Sequence, residues 1–95
     1  MLVLHVTYHV MPGKKEAFLQ AIEEAEIDRN TRLEDGNVRY DYFYGAQQED
    51  IVFLLEVWET EEAQKRHTRT EHFQALGTIK TAYVMETTVE RYIGA

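Results

Sequence analysis

The sequence predicts an α+β domain with the element order β-α-β-β-α-β. Three observations carry this. Residues 2–10 alternate with a two-residue period, and the residues after Lys14 repeat at three- and four-residue steps. Alternation then returns over Val38–Tyr44, Ile51–Trp58 and Glu86–Ile93, with a second helical stretch before the last of these.

In the first strand Leu2, Leu4, Val6, Tyr8 and Val10 alternate with Val3, His5, Thr7 and His9, giving one apolar and one mixed face. Met11-Pro12-Gly13 stops it, because proline cannot donate to a ladder and glycine relaxes the turn. From Lys14 to about Leu33, Ala17, Phe18, Ala21, Ile22 and Ala25 form an apolar stripe, and Asp35-Gly36 ends what reads as one long helix. Val38, Tyr40, Tyr42 and Tyr44 share one face of the second strand; Arg39, Asp41 and Phe43 share the other. The third strand sets Ile51, Phe53, Leu55 and Val57 against Val52, Leu54, Glu56 and Trp58. Two largely apolar faces mark it as central. Thr60 before Glu61 and Glu62 reads as a helix cap, with a helix to about His67. Thr70 caps a second piece through roughly Thr81.

This order is the split βαβ, or ferredoxin-like, arrangement within a single domain spanning 1–95. Right-handed crossovers place strands one and three centrally and the helices on one face. The other face is expected to carry Phe43, Val52, Leu54 and Trp58, too apolar for water, so a homodimer paired through that face is the simplest solution.

The formal charge of −7, from 10 basic and 17 acidic residues, argues against nucleic acid or an anionic membrane as partner. There is no cysteine for a disulfide or a thiolate nucleophile, and no apolar run long enough to span a bilayer, so a cytoplasmic location is expected. Gly-rich phosphate loops, a dinucleotide fingerprint and a hydrolase elbow are all missing, which removes the common nucleotide and covalent chemistries.

Four histidines carry what chemistry remains. His67 and His72, five residues apart, sit about 140° around a continuous helix and cannot grip one metal unless Thr68-Arg69-Thr70 breaks it. His5 and His9 share a strand face about 13 Å apart. No metal site is therefore expected. Trp58 beside Glu56 offers an indole next to a carboxylate, which suits a flat aromatic ligand; Arg39 and Asp41 read as an ion pair.

Three segments resemble the antibiotic-biosynthesis monooxygenase family: Val10-Met11-Pro12-Gly13-Lys14, Gly36-Asn37-Val38-Arg39-Tyr40-Asp41, and Leu55-Glu56-Val57-Trp58 leading to His67 and His72-Phe73. They match that family's PGK turn, its G-x-x-R-[YF] and [YL]-E-x-[WY] strands and its H-x-x-[ST]-x-H-[FY] helix end. The chain departs from the family at Glu71, where a proline is usual. Strand one carries His5, Thr7 and His9 where a haem-degrading branch has asparagine. The resemblance implies a dimeric α+β barrel and a cofactor-independent monooxygenase that uses O2 on a small aromatic, quinol- or anthrone-like substrate between sheet and helices. It implies catalytic roles for His67, His72 and Trp58, and substrate contacts from His5, His9, Arg39, Tyr40, Phe43, Leu54 and Phe73. Two other readings stay open: an isomerase that processes a small phosphorylated signal, and a non-catalytic ligand-binding dimer.

Overall fold

The structure of the protein, a computed structural model, describes residues 1–94. One antiparallel sheet of four strands, β1 (Leu2–Val10), β2 (Asn37–Tyr44), β3 (Ile51–Trp58) and β4 (Val84–Ile93), runs in the order β2-β3-β1-β4. Four helices, α1 (Lys15–Glu24), α2 (Ile27–Arg32), α3 (Glu61–His67) and α4 (Glu71–Tyr83), connect these strands. Among the described residues no helix is long and apolar enough to cross a membrane.

The alternation in β1 is what the sheet uses. Leu2, Leu4, Val6, Tyr8 and Val10 are all buried, and they form the core with Phe18 and Ile22 of α1, Ile27 of α2 and Leu76 of α4. Fully burying a side chain of this size is worth about 1.5–3 kcal/mol. Pro12 and Gly13 turn the chain out of β1. The Lys14 amide donates to the Met11 carbonyl at 3.0 Å, and Gly13 takes φ 75°, the geometry of a proline–glycine type II turn.

The single helix expected over Lys14–Leu33 is two helices. Glu26 adopts a left-handed conformation, φ 55°, between α1 and α2. On a straight helix Ile27 would lie about 140° from Ile22, off the buried stripe. The break turns it inward, and it is fully buried. The left-handed residue costs roughly 1–2 kcal/mol, which burial of Ile27 offsets. Thr31 follows it inside, its Oγ1 donating to the Ile27 carbonyl at 2.7 Å.

The faces of the sheet also differ from expectation. Val52, Leu54 and Trp58 are assigned to the bare face by the sequence reading, but they lie under the helices and are fully buried. The register gives the reason: Tyr8 pairs with Val52, Val6 with Leu54 and Leu2 with Trp58, and directly paired residues share a face. Val3, His5 and Thr7 of β1, Arg39, Asp41 and Phe43 of β2, and Phe53, Leu55 and Val57 of β3 form the opposite, helix-free face.

The two hydroxyl caps are formed. Thr60 Oγ1 accepts from the Ala63 amide and Thr70 Oγ1 from the Phe73 amide, both at 3.1 Å. Thr70 Oγ1 also donates to the His67 carbonyl at 2.8 Å, stapling the end of α3 to the start of α4.

Gly36 sets the turn before β2 against α3. Its φ is 89°, its carbonyl accepts from the Glu59 amide at 2.8 Å, and a Cβ there would lie 2.6 Å from the Ala63 Cβ. Gly36→Ala therefore combines a left-handed residue with a steric clash. Urea unfolding is expected to place it about 2–3 kcal/mol below the wild type. A midpoint unchanged from wild type would show that the turn and α3 are not held together at this point.

Candidate functional site

Tyr8, Tyr40 and Glu56 project from the sheet toward α3 and α4, which supply Gln64, His67, Phe73, Leu76 and Lys80; Thr87, Val89 and Arg91 of β4 close the side. Together they line a cavity of about 270 Å³. A larger hollow, about 580 Å³, opens between α1, α2 and the edge strand β2. It holds no imidazole, and its arginines are already engaged, Arg29 by Glu26 and Arg32 by Asp41. One buried oxygen there, Asp28 Oδ1, makes no hydrogen bond; burial lifts the Asp28 carboxyl to about 6.

The smaller cavity is the chemically equipped one. His67, 2 % exposed, is the last residue of α3. Its Nδ1 lies 2.6 Å from Glu34 Oε2. The same oxygen is 2.7 Å from Nε2 of His72 in the first turn of α4. Glu34 itself is fixed in the turn after α2, where its amide donates to the Thr31 carbonyl and its carbonyl accepts from the Asn37 amide. Burial, the largest influence, lowers the His67 pKa, and the Glu34 contact works against that shift. A neutral His67 facing a carboxylate must carry its proton on Nδ1. Glu34 and His72 are outside the cavity lining, so Nε2, which makes no hydrogen bond among the described residues, is the nitrogen left for the cavity. Aromatic rings hold the imidazole in place: Trp58 at 4.9 Å between centroids, Phe73 at 5.1 Å and Tyr40 at 6.0 Å.

Glu56 is the second ionisable group in the cavity. It is 7 % exposed, and its Oε1 accepts from Trp58 Nε1 at 3.1 Å. Burial pushes its carboxyl up to about 7, against the pull of the indole N–H. Burial likewise raises the Tyr8 and Tyr40 hydroxyls above the usual phenol range, so both stay protonated and can donate to a bound oxygen.

Of the residues singled out in the sequence, His67, Tyr40 and Phe73 line the cavity together. His72 lies behind His67 and reaches it through Glu34. Trp58 is fully buried behind the lining, where its ring tilts against His67 and its N–H holds Glu56. Leu54 is core. Four others are on the opposite side of the sheet or at its edge. His5 stacks on Phe53 and faces Glu90 at 3.5 Å; His9 shares the His5 face; Arg39 pairs with Asp41 at 3.0 Å; and Phe43 is half exposed. Glu34 is the participant that the sequence reading missed. It stands in a polar turn 33 residues from His67, with no local pattern around it. Glu56 was visible only as the neighbour of Trp58. The absence of a metal site expected from a continuous helix does not carry over, because the chain breaks between α3 and α4 and Glu34, His67 and His72 bring three ligand atoms within 4.8 Å of one another.

The antibiotic biosynthesis monooxygenase family model matches residues 1–77. That span holds Glu34, Tyr40, Glu56, Trp58, His67, His72 and Phe73, whereas Lys80, Thr87, Val89 and Arg91 of the cavity fall outside it. The Bacillus subtilis (strain 168) protein named "Putative monooxygenase YcnE" is 39% identical over 74 residues, covering 78% of this chain and 76% of its own. A Nitrosomonas europaea structure titled "Putative antibiotic biosynthesis monooxygenase" superposes with TM-score 0.90 at 25% identity, covering 99% of this chain and 98% of the other. PA3566 of Pseudomonas aeruginosa shares the fold, with TM-score 0.88 at 23% identity over 99% of this chain and 93% of its own. With its four-stranded antiparallel sheet and a family match over most of its length, the chain belongs to the antibiotic biosynthesis monooxygenase family.

Proposed function

We propose that the protein is a cofactor-independent monooxygenase for a small phenolic aromatic of the quinol or anthrone class, bound in the cavity between the sheet and α4. The observation that carries this reading is the 2.6 Å contact between Glu34 and His67 Nδ1, which leaves Nε2 as a lone pair facing a largely apolar space. Family membership supports the reaction type. In this reading Nε2 removes a proton from the substrate, and the positive imidazolium is stabilised by Glu34, as a carboxylate stabilises the histidine of a catalytic triad. The resulting electron-rich anion reduces O2 directly. For an anthrone, a CH2 group and O2 become a carbonyl and water. Tyr8 and Tyr40 remain protonated and supply donors for the developing oxyanion, and the apolar walls keep the anion poorly solvated. Glu56, about half protonated at neutral pH, is a third donor.

Lys80 at the cavity wall favours one second reading, an isomerase acting on a small phosphorylated compound; Arg91 beside it is paired with Glu61. The same base would then move a proton without consuming oxygen.

We also propose that a second copy of the chain covers the helix-free face, where Val3, Phe53, Leu55 and Val57 offer an apolar patch flanked by the His5–Glu90 contact and the Arg39–Asp41 ion pair. Sedimentation equilibrium is expected to give twice the chain mass of 11.2 kDa and to fall to one chain mass in Leu55→Lys. A monomeric wild type would remove the second copy.

Oxygen uptake on quinols and anthrones tests the activity. His67→Ala is expected to lower kcat by roughly 10²–10⁴-fold with the fold intact by circular dichroism. Undiminished uptake in that variant would eliminate His67 as the base. No uptake by the wild type, together with turnover of a phosphorylated sugar-like compound, would favour the isomerase.

Glu56 gives a pH test. Its carboxyl ionises near the ordinary value of 4.5 in the unfolded chain and at about 7 in the folded protein. Between these values the folded state holds the extra proton, so stability falls as pH rises through the window. Glu56→Gln should match the wild type at about pH 4 and exceed it by about 3 kcal/mol at about pH 8 in urea unfolding. An offset independent of pH would mean that Glu56 is not protonated in the fold.

A further inference from the structure

We propose that Glu34, His67 and His72 form a binding site for a divalent late-transition cation such as Zn2+, and that its occupancy switches off the His67 base. The catalytic half of this rests on the proposed role of His67; the binding half does not.

The three donor atoms, Glu34 Oε2, His67 Nδ1 and His72 Nε2, come from three separately anchored segments: the turn after α2, the last residue of α3 and the first turn of α4. All three lie within 4.8 Å of one another. Two imidazoles and one carboxylate form a donor set that suits zinc, cobalt or nickel, whereas magnesium and calcium prefer all-oxygen shells. The present separations of 2.6 and 2.7 Å are hydrogen-bond lengths. Ligands about 2.0–2.1 Å from a tetrahedral ion stand roughly 3.3 Å apart, so the carboxylate has to retreat by less than about 1 Å and the two imidazole nitrogens, within 4.8 Å of each other, have to close by up to about 1.5 Å. Trp58 and Phe73 hold the His67 ring in place, so the approach falls to His72 in the first turn of α4. A surface hollow of about 420 Å³, lined by Asn30, Glu71 and His72 among others, gives an ion and its remaining water a route in from solvent.

Binding has a defined consequence for protons. In the hydrogen-bonded state His67 carries its proton on Nδ1. An ion that takes the Nδ1 lone pair forces that proton off, and the neutral ring takes one up at Nε2. No electrons are transferred, and the ring has the same charge and proton count before and after. Nε2 then presents an N–H to the cavity in place of a lone pair and can no longer accept a proton from substrate.

Titration of the metal-free protein with Co2+ tests the binding half. The expected result is the visible absorption of tetrahedral Co2+, saturating at one ion per chain and displaced by Zn2+. His72→Ala should abolish it, and Glu34→Gln should weaken binding by about 10–100-fold. Both variants are checked for native circular dichroism. His72→Asn provides a second, smaller change at the same position. Failure of the wild type to develop the band, or its persistence in both His72 variants, would overturn the site while leaving the proposed reaction untouched. For the switch, one equivalent of Zn2+ should cut wild-type oxygen uptake at least tenfold, with recovery on adding a chelator. Full uptake at saturating Zn2+, with the Co2+ site intact, would overturn the switch. A Co2+ site in a protein without oxygen uptake would uphold the binding half and count against the monooxygenase reading alone.

Discussion

Placing an imidazole in an apolar pocket is costly unless its N–H is paired, and the site depends on how this chain meets that requirement. His67 is buried between Trp58, Phe73 and Tyr40, and the Glu34 carboxylate is the group that takes its proton-bearing nitrogen. The same oxygen takes His72, so a single carboxylate ties the turn after α2 to the end of α3 and the start of α4. Much of the surrounding structure can be understood as support for that contact. Gly36 lets the turn press against Ala63 of α3, and Thr70 clamps the α3–α4 junction so that both rings reach Glu34.

The second constraint is the division of the sheet into two faces. The inward-facing residues of β1 fix which residues of its neighbours meet the helices, and this phase carries Tyr8, Tyr40, Glu56 and Arg91 to the cavity side. Glu56 would be an expensive residue to bury as an anion, and burial leaves it half protonated near neutrality. The indole of Trp58 meets Glu56 through its N–H and His67 through its ring. It thus links the two ionisable groups of the cavity without entering the cavity itself.

How much of this could be read from the sequence depended on how local the determinants were. The strand order, the buried face of β1 and the caps at Thr60 and Thr70 all follow from neighbouring residues, and the structure has them. The break between His67 and His72 was foreshadowed by Thr70. The phase of β3 was not legible, because both of its faces are apolar and only pairing with β1 decides between them. The kink at Glu26 carries no glycine or proline to announce it; the demand to bury Ile27 imposes it. Glu34 was invisible for a related reason: its importance comes from partners more than thirty positions away. Of the site, the imidazoles and aromatics were therefore legible as residue types, while the carboxylate that organises them required the fold.

The central claim is that Glu34 sets the tautomer of His67, leaving Nε2 bare toward the cavity. Long-range proton–nitrogen correlation NMR on the imidazole nitrogens of the metal-free protein at neutral pH reads this directly, with Glu34→Gln as the comparison. The account predicts a protonated Nδ1 and an unprotonated Nε2 for His67 in the wild type, and a mixture of tautomers once the carboxylate is gone. A wild-type His67 with its proton on Nε2 would contradict it.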